Sequence, residues 1–424
     1  MLKQLIVKGN DKMKRAIVLS GGGSKGSYQI GAWKALKRMH IKYDIVTGTS
    51  VGALNGALMV QKSYLKGLWF WYNIDYKYII KEPICDNMKN QKSVLKHYAK
   101  AILLANGMDV SNLEETINKV LNERKVRKSK INFGIITFNL SNFKPKVLTK
   151  KDIPIGKLKD YLMASATCFP AFKKKHIDND DYIDGGYYDN LPINLAIDMG
   201  AEEIIAVDLR AVGLKRQTKS KNVKVTYISP RNKLGSFLIF DKNIARRGMR
   251  LGYNDTMKTF GKLDGNKYTF KKDHLKRNFN RYSYTYRQIL TNIFKRKNDM
   301  LSQLLKITAY KADISISYMT EIIESLGMFL NLDDSYIYNI NIYNKRLLYR
   351  LNQLPSIDRK LVKQKIKDNE WRDLIQNKVI LKYIYDDIVT YQNSKTKKDL
   401  SNIALLFPNE FLGALYLYVI SNSK

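Results

Sequence analysis

Two rhythms of apolar residues divide the chain. Up to Gly265, short β-rich runs (Ala16–Leu19, Tyr43–Val46, Ile131–Phe138, Glu203–Leu209 and Val223–Ile228) alternate with stretches of helical spacing such as Tyr28–Met39. Strands of a parallel sheet are covered on both faces and so read as continuous apolar runs, which IIAVDL at 204–209 fits. The alternation predicts βαβ units around a mostly parallel central sheet, an α/β fold. From about residue 270 the chain is rich in Lys, Asn, Tyr and Leu with few breakers, and helices are expected there. Glycine marks the boundary: 22 of the 24 glycines lie at or before Gly265. The expected organisation is an α/β domain over 14–265 and a mainly helical C-terminal domain over 266–424, without internal repeats.

The 424 residues suffice for two sizeable cores, and 45% hydrophobic composition excludes wholesale disorder. The 74 Lys and Arg against 38 Asp and Glu leave a net charge of +36, which draws the protein toward polyanionic surfaces. That charge is spread over both parts, +25 in residues 1–270 and +11 in 271–424. A dedicated nucleic-acid module concentrates its basic residues, so no specific nucleic-acid partner is expected. Cys85 and Cys168 cannot build a disulfide framework and suit a reducing compartment. No apolar run reaches the 18 or so residues of a spanning helix; Ala404–Ile420 is interrupted by Pro408, Asn409 and Glu410 and is expected to pack in a core. The N-terminus shows no secretory signal.

Three segments carry candidate chemistry. Ser20-Gly21-Gly22-Gly23-Ser24-Lys25-Gly26-Ser27 follows the run RAIVL and precedes a helical pattern. A glycine loop feeding a helix leaves backbone N–H groups free to meet negative charge. Gly21, Gly23 and Gly26 also satisfy a dinucleotide fingerprint, but Asp44 begins the second strand instead of ending it, the wrong place for a ribose ligand. Gly48-Thr49-Ser50-Val51-Gly52 lies between YDIV and ALNGALMV, the strand-to-helix setting of a nucleophile elbow. A serine nucleophile needs a base, and none of His40, His97, His176 and His274 suits: His40 ends the loop's own helix, His97 and His274 lie in Lys-rich stretches, and His176 is in an exposed hairpin pattern. The third segment, Tyr182-Ile183-Asp184-Gly185-Gly186-Tyr187, reads by itself as an Asp-Gly turn between strands or as a placed carboxylate.

In this order and spacing, GGGSKG, GTSVG and DGG resemble the patatin-like phospholipase family, as do Ala164–Pro170 and the stretch Ile183–Leu209. The resemblance spans about residues 14 to 260 and leaves the C-terminal part without a family. It implies a patatin-like three-layer fold and a Ser-Asp dyad, with Ser50 the nucleophile and Asp184 the proton acceptor. Gly21, Gly22 and Gly23 would supply the oxyanion hole, with Lys25, Gly26, Gly48, Gly52, Gly185 and Gly186 supporting the motifs, and no metal or cofactor would be needed. A free aspartate, with a pKa of about 3.9, is a weak base for a hydroxyl, so burial is expected to raise it.

The function implied is a lipid acyl hydrolase of phospholipase A or lysophospholipase type, cytoplasmic and attached peripherally to anionic membranes. An acyltransferase using the same dyad is the alternative. A nucleotide-binding module on the glycine loop and a membrane-binding scaffold with a vestigial fold are further ones. The aromatic stretch Tyr64–Ile80, with Trp69, Phe70, Trp71, Tyr72, Tyr76 and Tyr78, suits either a membrane-touching lid or a helix packed in the core. Nothing in the sequence indicates an oligomeric state.

Overall fold

A computed structural model describes residues 13–81, 93, 96, 99–100, 107–294, 298–307, 315–355, 358–368, 370–374, 378–394 and 399–422. Cys85, His97 and most of the N-terminal segment assessed for a signal lie outside the described residues. The chain divides into two compact units, Met1–Thr259 and Phe260–Lys424.

The first unit is built on β1 (Arg15–Leu19), α1 (Ser27–Arg38), β2 (Ile45–Thr49), α2 (Val51–Val60), α3 (Tyr64–Tyr72), α4 (Ser111–Val120), α5 (Glu123–Lys128), β3 (Asn132–Asn139), β4 (Lys144–Thr149), α6 (Leu158–Ser165), β5 (Lys175–Ile177), β6 (Asp180–Asp184), α7 (Ile193–Asp198), β7 (Glu203–Val207), β8 (Lys224–Ile228) and α8 (Lys242–Thr259). An eight-stranded sheet runs β5-β6-β3-β2-β1-β7-β8, with β4 also on β3. The pairs from β3 through β8 are all parallel, and β4, β5 and β6 add antiparallel pairs at one side. Alternate residues of a strand face opposite ways. Accordingly Ala16, Val18, Ile204 and Ala206 pack under α7, whereas Gly56 of α2 lies close over Leu19, Val46 and Phe133 on the other face. Helices thus cover both faces, the expected three layers.

The second strand begins at Ile45, not at Tyr43. Asp44 belongs to the turn before it, where its carboxylate accepts the Arg15 N–H at 3.2 Å. KKKHIDNDDY forms the expected hairpin, β5 paired antiparallel with β6.

The aromatic segment divides between the two expected roles. Phe70 and Trp71 are buried, while Leu65, Trp69 and Tyr72 are exposed. The Trp71 indole explains the inward side: its N–H donates to Asn55 at 3.0 Å, the Asn55 amide donates to Gln29 at 2.8 Å, and Gln29 donates to the Ser20 carbonyl at 2.7 Å.

The second unit is mainly helical, as its composition predicts, and adds a small sheet the sequence reading did not anticipate: β9 (Leu263–Asp264), β10 (Thr269–Lys271) and β11 (Ile337–Tyr338). The buried carboxylate of Glu324 accepts the N–H groups of Asn266, Lys267 and Tyr268 at 2.6, 3.1 and 3.2 Å, which holds the turn into β10. Ala404–Ile420 falls in two core helices, Ser401–Leu406 and Pro408–Asn422. Pro408 starts the second of these, a position where its missing N–H costs nothing. No helix among the described residues is long and apolar enough to cross a membrane.

Candidate active site

Strand register brings the serine and the aspartate together. β2 runs parallel to β3 up to the pair Thr49–Ile136, and on the next residue of β3 the antiparallel β6 takes over with the pair Thr137–Asp184. The ends of β2 and β6 therefore meet head to head beside β3. Ser50 and Asp184 line one cavity, and Ser50 is among the groups that act to lower the Asp184 pKa.

The elbow holds Ser50 at φ 56 and ψ −129, a backbone conformation unfavourable for a residue with a side chain. Its N–H donates to the Ser165 hydroxyl at 2.9 Å, and Ser165 donates onward to the Ile136 carbonyl at 2.6 Å. Tight packing explains the flanking glycines. A Cβ on Gly52 would lie 2.3 Å from the Leu19 carbonyl oxygen, and one on Gly48 would lie 2.3 Å from that of Gly52. At the other strand end, a Cβ on Gly185 would lie 2.2 Å from the Ile136 carbonyl oxygen.

Asp184 is buried, and its carboxylate accepts the Gly186 N–H at 2.7 Å. Burial pushes its pKa up to about 6, against the lowering effects of Ser50 and of the Gly186 N–H. The nearby Cys168 thiol is pushed up to about 12 by burial and then by the Asp184 charge. It stays protonated at neutral pH and does not compete as a nucleophile.

The glycine loop departs from the expected three-donor arrangement. The Gly21 N–H donates to the Asn190 carbonyl at 3.0 Å and is committed to that bond. Gly22 and Gly23 line the same cavity as Ser50 and Asp184, and their N–H groups make no protein hydrogen bond among the described residues. Gly23 has φ 55, and a Cβ there would lie 2.3 Å from the Phe237 carbonyl oxygen. Lys25 and Gly26 do not line the cavity. Lys25 is half-buried, which lowers its pKa, and Gly26 fits against Val51 and Trp71. Gly186 lines the cavity, whereas Gly48, Gly52 and Gly185 serve the backbone beneath it.

The cavity has a volume of about 490 Å³, and Phe172, Val212, Leu214, Phe237, Leu238 and Phe240 make most of it apolar. None of the described histidines lines it. His40 and His176 are exposed, and His274 accepts the Ile340 N–H at 3.3 Å within the second unit. Sequence reading did not single out Ser165 or Asn190 for a role. Both lie within quoted motif stretches, but their contacts depend on strands distant in sequence.

Fold and site together define a three-layer α/β domain with a serine on a strand-to-helix elbow that shares an apolar cavity with a buried aspartate and a glycine loop. Residues 17–197 of this chain match the family model of the patatin-like phospholipases. The chain is similar to patatin-like phospholipase domain-containing protein 7 of Rattus norvegicus, 29% identical over 216 residues, which cover 49% of this chain and 14% of that protein. It is also similar to lysophospholipase nte1 of Aspergillus terreus, 26% identical over 197 residues, which cover 46% of this chain and 12% of that protein. The matches thus span about one-seventh or less of the length of these two curated relatives. Among solved structures, VipD from Legionella pneumophila aligns over 96% of this chain and 92% of that one, at 12% identity and a TM-score of 0.35.

Proposed function

We propose that the protein is a lipid acyl hydrolase in which Ser50 and Asp184 cleave carboxylic esters through an acyl-enzyme. The observation that carries this reading is a strained elbow serine and a buried carboxylate of pKa about 6 lining the same apolar cavity. With that pKa Asp184 is mostly ionised at neutral pH, yet far more basic than a free aspartate.

Ser50 Oγ attacks the ester carbonyl carbon while its proton passes to Asp184. The oxyanion that forms faces the Gly22 and Gly23 N–H groups, each such donor being worth about 3 kcal/mol in the transition state. The tetrahedral intermediate collapses, the C–O bond to the alcohol breaks, and that alcohol takes the proton from Asp184. Water then attacks the acyl-enzyme, gives a proton to Asp184, and releases the fatty acid as the proton returns to Ser50.

The apolar lining suits an acyl chain, and the name of the Aspergillus terreus relative supports a lysophospholipid or phospholipid ester as substrate. Peripheral attachment to anionic membranes follows from the net charge of +36. Residues 14–265 would be the acyl hydrolase domain and 266–424 a helical domain of separate role. Labelling with a fluorophosphonate probe tests the dyad: wild type is expected to label, with strong loss in Ser50→Ala and Asp184→Asn. Undiminished labelling of Ser50→Ala would end the proposal.

A further inference from the structure

Residues 209–240 hold eight Lys or Arg side chains and no Asp or Glu. The same stretch supplies seven residues of the cavity wall, Ala211–Leu214 at one end and Phe237, Leu238 and Phe240 at the other. At the rim its apolar side chains stand in solvent: Val212 is 91% exposed and Leu214 is 64% exposed, beside Tyr187 at 47%. Exposed aliphatic groups at the mouth of an apolar cavity mark an interaction surface more specifically than scattered ones do.

Backbone hydrogen bonds fix this exposure. The Leu214 N–H donates to the Gly186 carbonyl at 2.9 Å, and the Leu214 carbonyl accepts the Asn190 N–H at 2.6 Å. Between the two exposed residues, a Cβ on Gly213 would lie 2.8 Å from the Asn190 side chain, so that position faces inward. Val212 and Leu214 consequently point the other way, on a backbone tied to the segment that follows Asp184.

The surrounding charge selects the partner. Lys215 pairs with Asp208, and Lys219 with Asp198. The Arg216 guanidinium stacks 4.5 Å from the Tyr188 ring centre, and Arg210 and Lys221 form no ion pair among the described residues. Apolar tips with Arg210, Lys215 and Arg216 beside them in the chain match a layer of anionic headgroups over hydrocarbon.

Resting on the hydrolase reading, we propose that the loop 208–223 is the surface by which the domain docks on an anionic lipid bilayer. Val212 and Leu214 enter the headgroup layer, Arg210 meets lipid phosphate, and the cavity mouth opens directly onto the lipid.

Vesicle sedimentation of the full chain carrying Ser50→Ala tests this without hydrolysis altering the lipid. The probes are phosphatidylcholine vesicles with and without phosphatidylserine. Expected is strong binding to the anionic vesicles only, weakened about tenfold or more by Val212→Asp with Leu214→Asp, and measurably by Arg210→Glu. Melting midpoints should stay near that of the parent, since all three positions are exposed. Undiminished binding of both variants, or equal binding to the two vesicle types, would overturn the proposal. Fluorophosphonate labelling of the wild type reports the dyad independently, so a wild type that labels beside a Ser50→Ala chain that does not sediment refutes the docking surface and leaves the hydrolase reading standing.

Discussion

The backbone N–H of Gly21 donates to the carbonyl of Asn190 at 3.0 Å, tying the glycine loop to the segment that follows Asp184. This bond sets the position of the two free N–H groups that follow it, and it separates glycines of different duty within one motif.

Gly21→Ala and Gly23→Ala should therefore behave differently. A Cβ at 21 meets the tip of the Asn190 side chain, which can turn away, whereas Gly23 needs φ 55 and a Cβ there meets the Phe237 backbone. Gly23→Ala is expected to lower kcat about 100-fold or more, the loss typical of a displaced oxyanion donor, and Gly21→Ala about tenfold or less. Steady-state kinetics on a water-soluble ester would check the order, and equal losses would contradict the division.

The elbow predicts a stability effect. In Gly52→Ala the added carbon would lie 2.3 Å from the Leu19 carbonyl oxygen and 2.7 Å from that of Ser20, both backbone atoms that cannot rotate aside. A loss of about 2–3 kcal/mol or more is expected, visible as a lower urea midpoint, together with loss of fluorophosphonate labelling.

Asp184 links activity and stability to pH in opposite senses. The ionised base is lost as pH falls through about 6, so kcat/KM should drop about tenfold per unit below that point. The folded-state pKa lies above the unfolded value of about 3.9, so the stabilisation this group gives in its protonated form is present below pH 4 and lost as pH rises through about 6. Asp184→Asn is neutral at every pH and keeps an acceptor for Gly186. It should be more stable than wild type by about 3 kcal/mol at pH 7.5, with no difference at pH 4, as read by denaturant titration at both values.

Asn55 joins three elements: it donates to the Gly26 carbonyl at 3.0 Å and to Gln29 at 2.8 Å, and accepts the Trp71 indole N–H at 3.0 Å. Asn55→Ala leaves those partners buried and unpaired. A cost of about 3 kcal/mol is expected, read as a lower urea midpoint with an altered Trp fluorescence of the folded state.

The parallel strands, the glycine loop, GTSVG and DGG were legible because each is written in contiguous residues whose local geometry demands them. A continuous apolar run reads as a covered strand, and a glycine two places from a serine reads as a tight turn. The starting residue of β2 was not, since Asp44 is held in its turn by Arg15. Nor was the split of the aromatic helix, which depends on Asn55 meeting the Trp71 indole. The short strands of the second unit were missed because β9 and β11 have two residues each, too few to show any period.

Taken alone, the sequence determined that this chain would form a covered, largely parallel sheet carrying a serine turn, a glycine loop and an Asp-Gly-Gly segment, since backbone sterics and side-chain periodicity act between near neighbours. Tertiary structure decided which groups face one another. The succession of β2 and β6 along β3 brings Ser50 and Asp184 to the wall of one cavity. The carbonyl of Asn190 occupies one glycine N–H and leaves two free, and the backbone of Leu214 turns Val212 outward. Hydrogen bonds and burial between residues far apart in sequence depend on register and packing, and these exist only once the strands have paired.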